Sequence, residues 1–230
     1  MSNNSNAFNK AIKLHKTGKL EEAIKIYIKL LKNNEETSQL NFFLGTAYLQ
    51  KQFYQKAHKY LNQAISIDQN IPNYYNNIGI ALSGLNRDKE AVENFKTALK
   101  IKDNYNDAII NIGISYKNLK EFKKSKEFFL KSLKLSPNNP VVFNNLGNLF
   151  RELGEISRSL EFYEKAISQK ENYVEAYNNK AEIYLMQKKF DEALKEYKKV
   201  INLNPKLNYS YGKYIHTKMN LCDWNDYHKN

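Results

Sequence analysis

The feature that most restricts this chain is a spacing of 34 residues, at which versions of Asn144-Asn145-Leu146-Gly147 return without insertion or deletion. Steps of 34 backward reach Ile110-Asn111-Ile112-Gly113, Asn76-Asn77-Ile78-Gly79, Phe42-Phe43-Leu44-Gly45 and Phe8-Asn9-Lys10-Ala11, and one step forward reaches Asn178-Asn179-Lys180-Ala181. A fixed period of this length marks a repeat architecture, in which a unit cannot bury its apolar face alone and neighbours supply the core. The 230 residues are therefore expected to form one repeat domain rather than two globular ones.

Each block reads as two helices. In block 140–173, Phe143, Leu146, Gly147 and Phe150 follow the i, i+3, i+4, i+7 spacing of one helical face. Ser159, Tyr163 and Ala166 form a second such face, and Leu153-Gly154-Glu155 is a turn with glycine where the first helix should stop. Block 72–105 repeats the plan with Tyr75, Ile78, Gly79 and Leu82, then Ala91, Phe95 and Ala98. The spacing predicts blocks 4–37, 38–71, 72–105, 106–139, 140–173 and 174–207, after a disordered end at 1–3. Residues 208–230 are expected to hold a seventh first helix, carrying Tyr211, Tyr214, Ile215 and Met219, and the start of a junction to a further domain. Small residues at positions 8 and 20 of a block would let its helices approach closely, and the large residue at position 24 is expected to pack into the next hairpin. Pro72 and Pro140 open their blocks, where a helix has no partner for that amide anyway.

This pattern over residues 4–207 resembles the tetratricopeptide repeat family, whose 34-residue helical hairpins carry small residues at positions 8, 20 and 27. It departs where Tyr75, Phe143 and Tyr177 stand for the usual tryptophan, and where Leu30, Ser132 and Val200 replace alanine. The resemblance implies an all-α, right-handed superhelical α-solenoid whose first helices line a concave groove.

Position 6 of the first helix lies beside the apolar face rather than within it. Asn9, Phe43, Asn77, Asn111, Asn145 and Asn179 occupy it, and asparagine is a poor helix former. With 32 asparagines in 230 residues, five in one column has a chance of about 1% once all columns of the repeat are scanned, so the row asks for a role. A carboxamide has an acceptor and two donors and can pair with the backbone of any sequence, so a row of them would track an extended segment of another protein. Family geometry places Asn76, Asn144, Asn148, Asn178, Lys117 and Arg151 beside this row, while Phe8, Phe42 and Phe43 make the opposite end apolar. Binding is expected to weaken or change character at Phe43.

After the sixth block, Cys222-Asp223-Trp224 with Asp226 and Tyr227 resembles the junction that joins repeats to the catalytic region in O-GlcNAc transferase-like glycosyltransferases. That family also uses position-6 asparagines to hold acceptor polypeptides. The resemblance implies that this chain is the substrate-recruiting fragment of such a protein, with the catalytic region lying elsewhere. A tail ending in Trp224 and Tyr227 also offers a surface for self-association.

Other chemistry is sparse. His15, His58, His216 and His228 form no helical metal pair, and no phosphate-binding glycine loop or nucleophile elbow occurs, so neither cofactor nor metal nor enzymatic activity is expected. The net charge of +12 is spread as +3, +2, +1, +4, −1 and +2 over the six blocks and +1 over the tail. Screening over roughly 8 to 10 Å keeps such charges from summing into one field, which disfavours nucleic acid as the partner. No apolar run approaches a membrane span, no signal peptide opens the chain, and a single cysteine fits a reducing compartment, so a cytoplasmic location is expected.

Overall fold

The computed structural model describes residues 2–33, 37–205 and 208–221. Among these, all regular structure is helical. Hairpins form from α1 (Ser2–Lys16) and α2 (Leu20–Lys32), α3 (Ser38–Gln50) and α4 (Tyr54–Ile67), and α5 (Pro72–Gly84) and α6 (Asp88–Ile101). They continue with α7 (Asn106–Asn118) and α8 (Phe122–Leu135), α9 (Pro140–Glu152) and α10 (Ile156–Gln169), and α11 (Val174–Met186) and α12 (Phe190–Leu203), followed by α13 (Asn208–Asn220). The first helix already runs from Ser2, where the sequence reading placed a disordered end. Cys222, Asp223, Trp224, Asp226, Tyr227 and His228, on which the tail readings rest, lie outside the described residues. The chain divides into two compact units, Met1–Lys131 and Ser132–Asn230.

Glycine at position 8 holds each central hairpin together. A methyl group on Gly79 would come within 2.4 Å of the Phe95 ring, and one on Gly147 within 2.4 Å of the Tyr163 ring. Gly113 meets Phe129 in the same way at 2.6 Å, and Gly45 meets Leu61 at 2.7 Å. The position-24 side chain thus sits on the position-8 glycine of its own hairpin, and at Tyr27 it also reaches the next one, stacking on Phe43. These rings are wholly buried, so they have no room to yield. Where position 20 is serine, its hydroxyl stitches the same contact: Ser125 Oγ donates to the Gly113 carbonyl at 2.8 Å and Ser159 Oγ to the Gly147 carbonyl at 2.7 Å.

The turns inside the hairpins share one geometry. Gly18, Gln52, Asn86, Lys120, Gly154 and Lys188, all at position 15, have φ between 58° and 78°. In each, the amide that follows position 15 bonds back five residues, as Glu155 N does to Phe150 O and Lys189 N to Tyr184 O, both within 2.9 Å. This is a Schellman-type end, which glycine adopts freely and a lysine does not. The sequence marks it at Gly18 and Gly154 and conceals it at the other four.

In α11, charge replaces an apolar residue of the repeat. Lys180 stands on α11 where earlier first helices carry Leu146, Ile112, Ile78 and Leu44. Its ammonium lies 3.0 Å from Glu196 and 3.3 Å from Glu164, and burial, which would lower its pKa, is outweighed by these two carboxylates, which raise it. The pair occupies space that an apolar side chain fills elsewhere.

The turn geometry yields a stability test. Lys188→Gly removes a strained side chain from a left-handed position, partly offset by the entropy glycine loses on folding. Urea denaturation should show a gain of about 0.5 kcal/mol, and Gly154→Lys a loss of similar or larger size.

Candidate binding face of the first helices

The position-6 side chains tie successive first helices to one another. In the unit Met1–Lys131, Asn77 Nδ2 donates to Thr46 Oγ1 at 3.2 Å and Asn111 Nδ2 to Asn76 Oδ1 at 3.1 Å. In the unit Ser132–Asn230, Asn179 Nδ2 donates to Asn144 Oδ1 at 3.0 Å. Lys213, position 6 of α13, reaches Glu182 by an ion pair. Each link runs to position 5 or 9 of the preceding first helix, where a helical residue lies nearest to its neighbour. The row therefore does structural work before any partner arrives.

The other expected residues fall into distinct roles. Asn76 and Asn144 are 4% and 7% exposed and accept the links from Asn111 and Asn179. Asn145 donates to the Val141 carbonyl of its own helix at 2.9 Å, and Asn9 is exposed on α1. Lys117 is half-buried, with its ammonium 3.4 Å from Asn118 Oδ1. Arg151 pairs with Glu182 at 3.2 Å. The column breaks at Phe43 because that ring is built into an aromatic cluster: it stacks on Tyr27 at 6.3 Å and meets Phe8 and Phe42 edge-on at 5.7 and 5.6 Å. His15 joins this cluster, 3.4 Å from the Tyr27 hydroxyl. Burial pushes the His15 imidazole below its ordinary value, partly countered by Gln50, and pushes the Tyr27 hydroxyl up to about 12.

The unit Ser132–Asn230 gathers four of the expected asparagines around one open cavity of about 610 Å³. Asn144, Asn148, Asn178 and Asn179 line it, with Lys170, Glu175, Tyr209 and Ser210. The Tyr163 hydroxyl donates to Asn148 Oδ1 at 2.7 Å, which leaves the Asn148 amide hydrogens as donors. Asn179 spends a hydrogen on Asn144 and keeps its oxygen as an acceptor. Asn178 bridges Ser210, at 3.4 Å, and Glu182, at 3.2 Å. Burial alone would raise the Glu182 pKa, but Lys213, Arg151 and Asn178 together hold it below the usual carboxylate value. Tyr197, one hairpin on from Tyr163, is fully buried, its hydroxyl has no hydrogen-bond partner among the described residues, and burial pushes it up to about 12.

Several of these residues escaped the sequence reading. Thr46 and Glu182 stand at position 9, the column of which the sequence reading names only Asn148. Lys213 would have appeared by extending the position-6 column one step into α13. Lys170, Glu175 and Tyr209 carry no repeat signal that distinguishes them from solvated surface.

Among the described residues, no group of three or more His, Cys, Asp and Glu is placed to hold a metal, and no helix is long and apolar enough to cross a membrane. The hairpins and their packing define an all-α repeat solenoid of the tetratricopeptide type, a fold that is typically non-catalytic and generally scaffolds protein interactions. The family model described as tetratricopeptide repeat protein 21 N-terminal ARM repeat matches residues 15–227, and the chain belongs to that family. No curated protein matches it. A tetratricopeptide repeat protein from Parabacteroides merdae superimposes with a TM-score of 0.84 at 18% identity, covering 94% of this chain and 84% of that one. A thermophilic tetratricopeptide protein of Thermus thermophilus gives 0.73 at 18% identity, covering 80% of this chain and all (100%) of that one. The Cut9–Hcn1 hetero-tetramer of the APC/C gives 0.75 at 14% identity, with 91% of this chain aligned to 42% of the other. At these identities the likeness is one of fold.

The position of Glu182 makes a pH test. Its folded pKa is depressed, so its contribution is present above the ordinary value of 4.5 and is lost as pH falls below it. Thermal unfolding of the wild type should therefore weaken progressively below that pH. Glu182→Gln should remove part of this acid dependence while lowering stability at neutral pH, because Lys213 and Arg151 lose their shared carboxylate. An unchanged acid limb would show that Glu182 is not coupled to folding.

Proposed function

We propose that this chain is a scaffold that holds an extended segment of another polypeptide against its first helices. One observation carries the reading: the cavity of about 610 Å³ presents an oriented donor, the Asn148 amide, and an oriented acceptor, Asn179 Oδ1, from adjacent first helices. A peptide unit offers the complementary pair, one C=O and one N–H. Side chains of the partner would then be read by Lys170, Glu175 and Tyr209 at the edge. At roughly 1 kcal/mol net per hydrogen bond, one such site supplies a few kcal/mol, short of the ~8 kcal/mol of a micromolar complex. Useful affinity thus requires a segment long enough to engage several first helices.

The test is selection of peptides from a random display library by the full chain, followed by affinity measurement for Asn148→Ala, with its melting temperature as a control for folding. A loss of about fivefold or more at unchanged stability supports the reading. Peptides that bind the variant equally well would sink it. Sedimentation at rising protein concentration reports the competing use of this surface. Tyr209, Tyr211, Met219 and Leu221 are exposed on or just after α13, and self-association through them would appear as a concentration-dependent mass.

We also propose that the parent protein is O-GlcNAc transferase-like and that this region recruits its acceptor polypeptides. Support comes from Cys222-Asp223-Trp224 with Asp226 and Tyr227 following a position-6 asparagine row. A nucleotide-sugar-binding domain encoded after Asn230 would support this, and any other continuation would overturn it. The single cysteine fits a reducing compartment, and we propose a cytoplasmic setting.

A further inference from the structure

We infer that the asparagines of the unit Met1–Lys131 form a hydrogen-bond relay with one direction, that Thr46 is the positioning residue that sets it, and that its outer end, Asn111 Oδ1, accepts a backbone N–H from the partner. The last part rests on the polypeptide-binding reading above.

The direction follows from hydrogen count. Thr46 Oγ1 lies 2.8 Å from the Phe42 carbonyl, one turn earlier in α3. A carbonyl only accepts, so the single hydroxyl hydrogen goes there, and Thr46 Oγ1 faces Asn77 as an acceptor. The Asn77 group 3.2 Å away is then its NH2, which turns Asn77 Oδ1 toward Asn76, whose Nδ2 lies at 3.4 Å. Asn76 Oδ1 in turn receives Asn111 Nδ2 at 3.1 Å. Every amide orientation is thereby settled by the Phe42 carbonyl at the head of the line, not chosen amide by amide. Asn76 is nearly fully buried, so its links are little weakened by water and polarise one another.

At the open end, Asn111 retains its carboxamide oxygen. It borders a cavity of about 300 Å³ lined also by Ile80, Ile114, Tyr54 and Phe95. An acceptor at the mouth of a mainly apolar cavity suits the N–H of a residue whose apolar side chain enters beside it. The relay thus commits one Asn111 amide hydrogen to Asn76 and leaves the carboxamide oxygen as the acceptor at the open end.

The experiment follows side-chain amide resonances of the nitrogen-15-labelled full chain. Thr46→Val should shift the NH2 signals of Asn77, Asn76 and Asn111, and Thr46→Ser should restore them. Asn77→Ala cuts the same relay one residue further on and should move Asn76 and Asn111 in the same way. A shift confined to the residue next to the substitution overturns the relay. The second arm titrates the wild type with N-acetyl-leucine N-methylamide and with the same compound methylated on the leucine nitrogen. The first should move the Asn111 amide and the Ile80 and Ile114 methyls at millimolar concentration, and the second should bind about fivefold more weakly. Equal responses overturn the N–H assignment. An intact relay with no response to either probe overturns the polypeptide-binding reading at this site, whereas a response without a relay removes only the role of Thr46.

Discussion

Everything in these hairpins depends on a glycine meeting a ring. Gly79 under Phe95, Gly113 under Phe129 and Gly147 under Tyr163 bring two helix backbones so close that a single methyl would collide with the ring. Wholly buried, well-packed rings give the contact its rigidity. Rigidity here has a consequence elsewhere, because it fixes the opposite edge of each first helix. Position 6 then stands within reach of positions 5 and 9 of the helix before it, and side chains of modest length can bridge the gap.

The bridges differ in chemistry between the units. In the unit Met1–Lys131 they are neutral amides and a hydroxyl, ending against aliphatic side chains such as Ile80 and Ile114. In the unit Ser132–Asn230 they include Lys213, Glu182 and Arg151, held together by ion pairs that keep Glu182 ionised despite partial burial. The aromatic cluster around Phe43 closes the asparagine column at its N-terminal side, since a ring packed on Tyr27 and Phe8 is already committed to the core. An asparagine there would give up the ring contacts with Tyr27, Phe8 and Phe42.

Much of this was legible in the residues, and the failures are instructive. Leu146, Gly147 and Phe150 announce a helix face, and Gly154 announces its end, because apolar spacing and glycine each carry a direct backbone meaning. Gln52, Lys120 and Lys188 adopt the same left-handed turn without announcing it, since the six-to-one backbone bond forces the conformation on whatever side chain is present. Lys180 reads as a break in the apolar face until Glu164 and Glu196 are seen beside it, residues 16 positions away on either side. Asn76 and Asn144 read only as neighbours of the asparagine row, and their burial and acceptor role depend on how closely the next hairpin packs.

The sequence by itself determined the period, the helical hairpin and the asparagine column, since all three are recorded as spacings along one chain. Only the tertiary structure decided which way each asparagine faces, why Phe43 interrupts the row, and which hydrogen-bonding capacity remains for a ligand. The physical reason is that a carboxamide is a donor and an acceptor at once. Its free end is known only after its neighbours, 31 or 35 residues away, have taken the other.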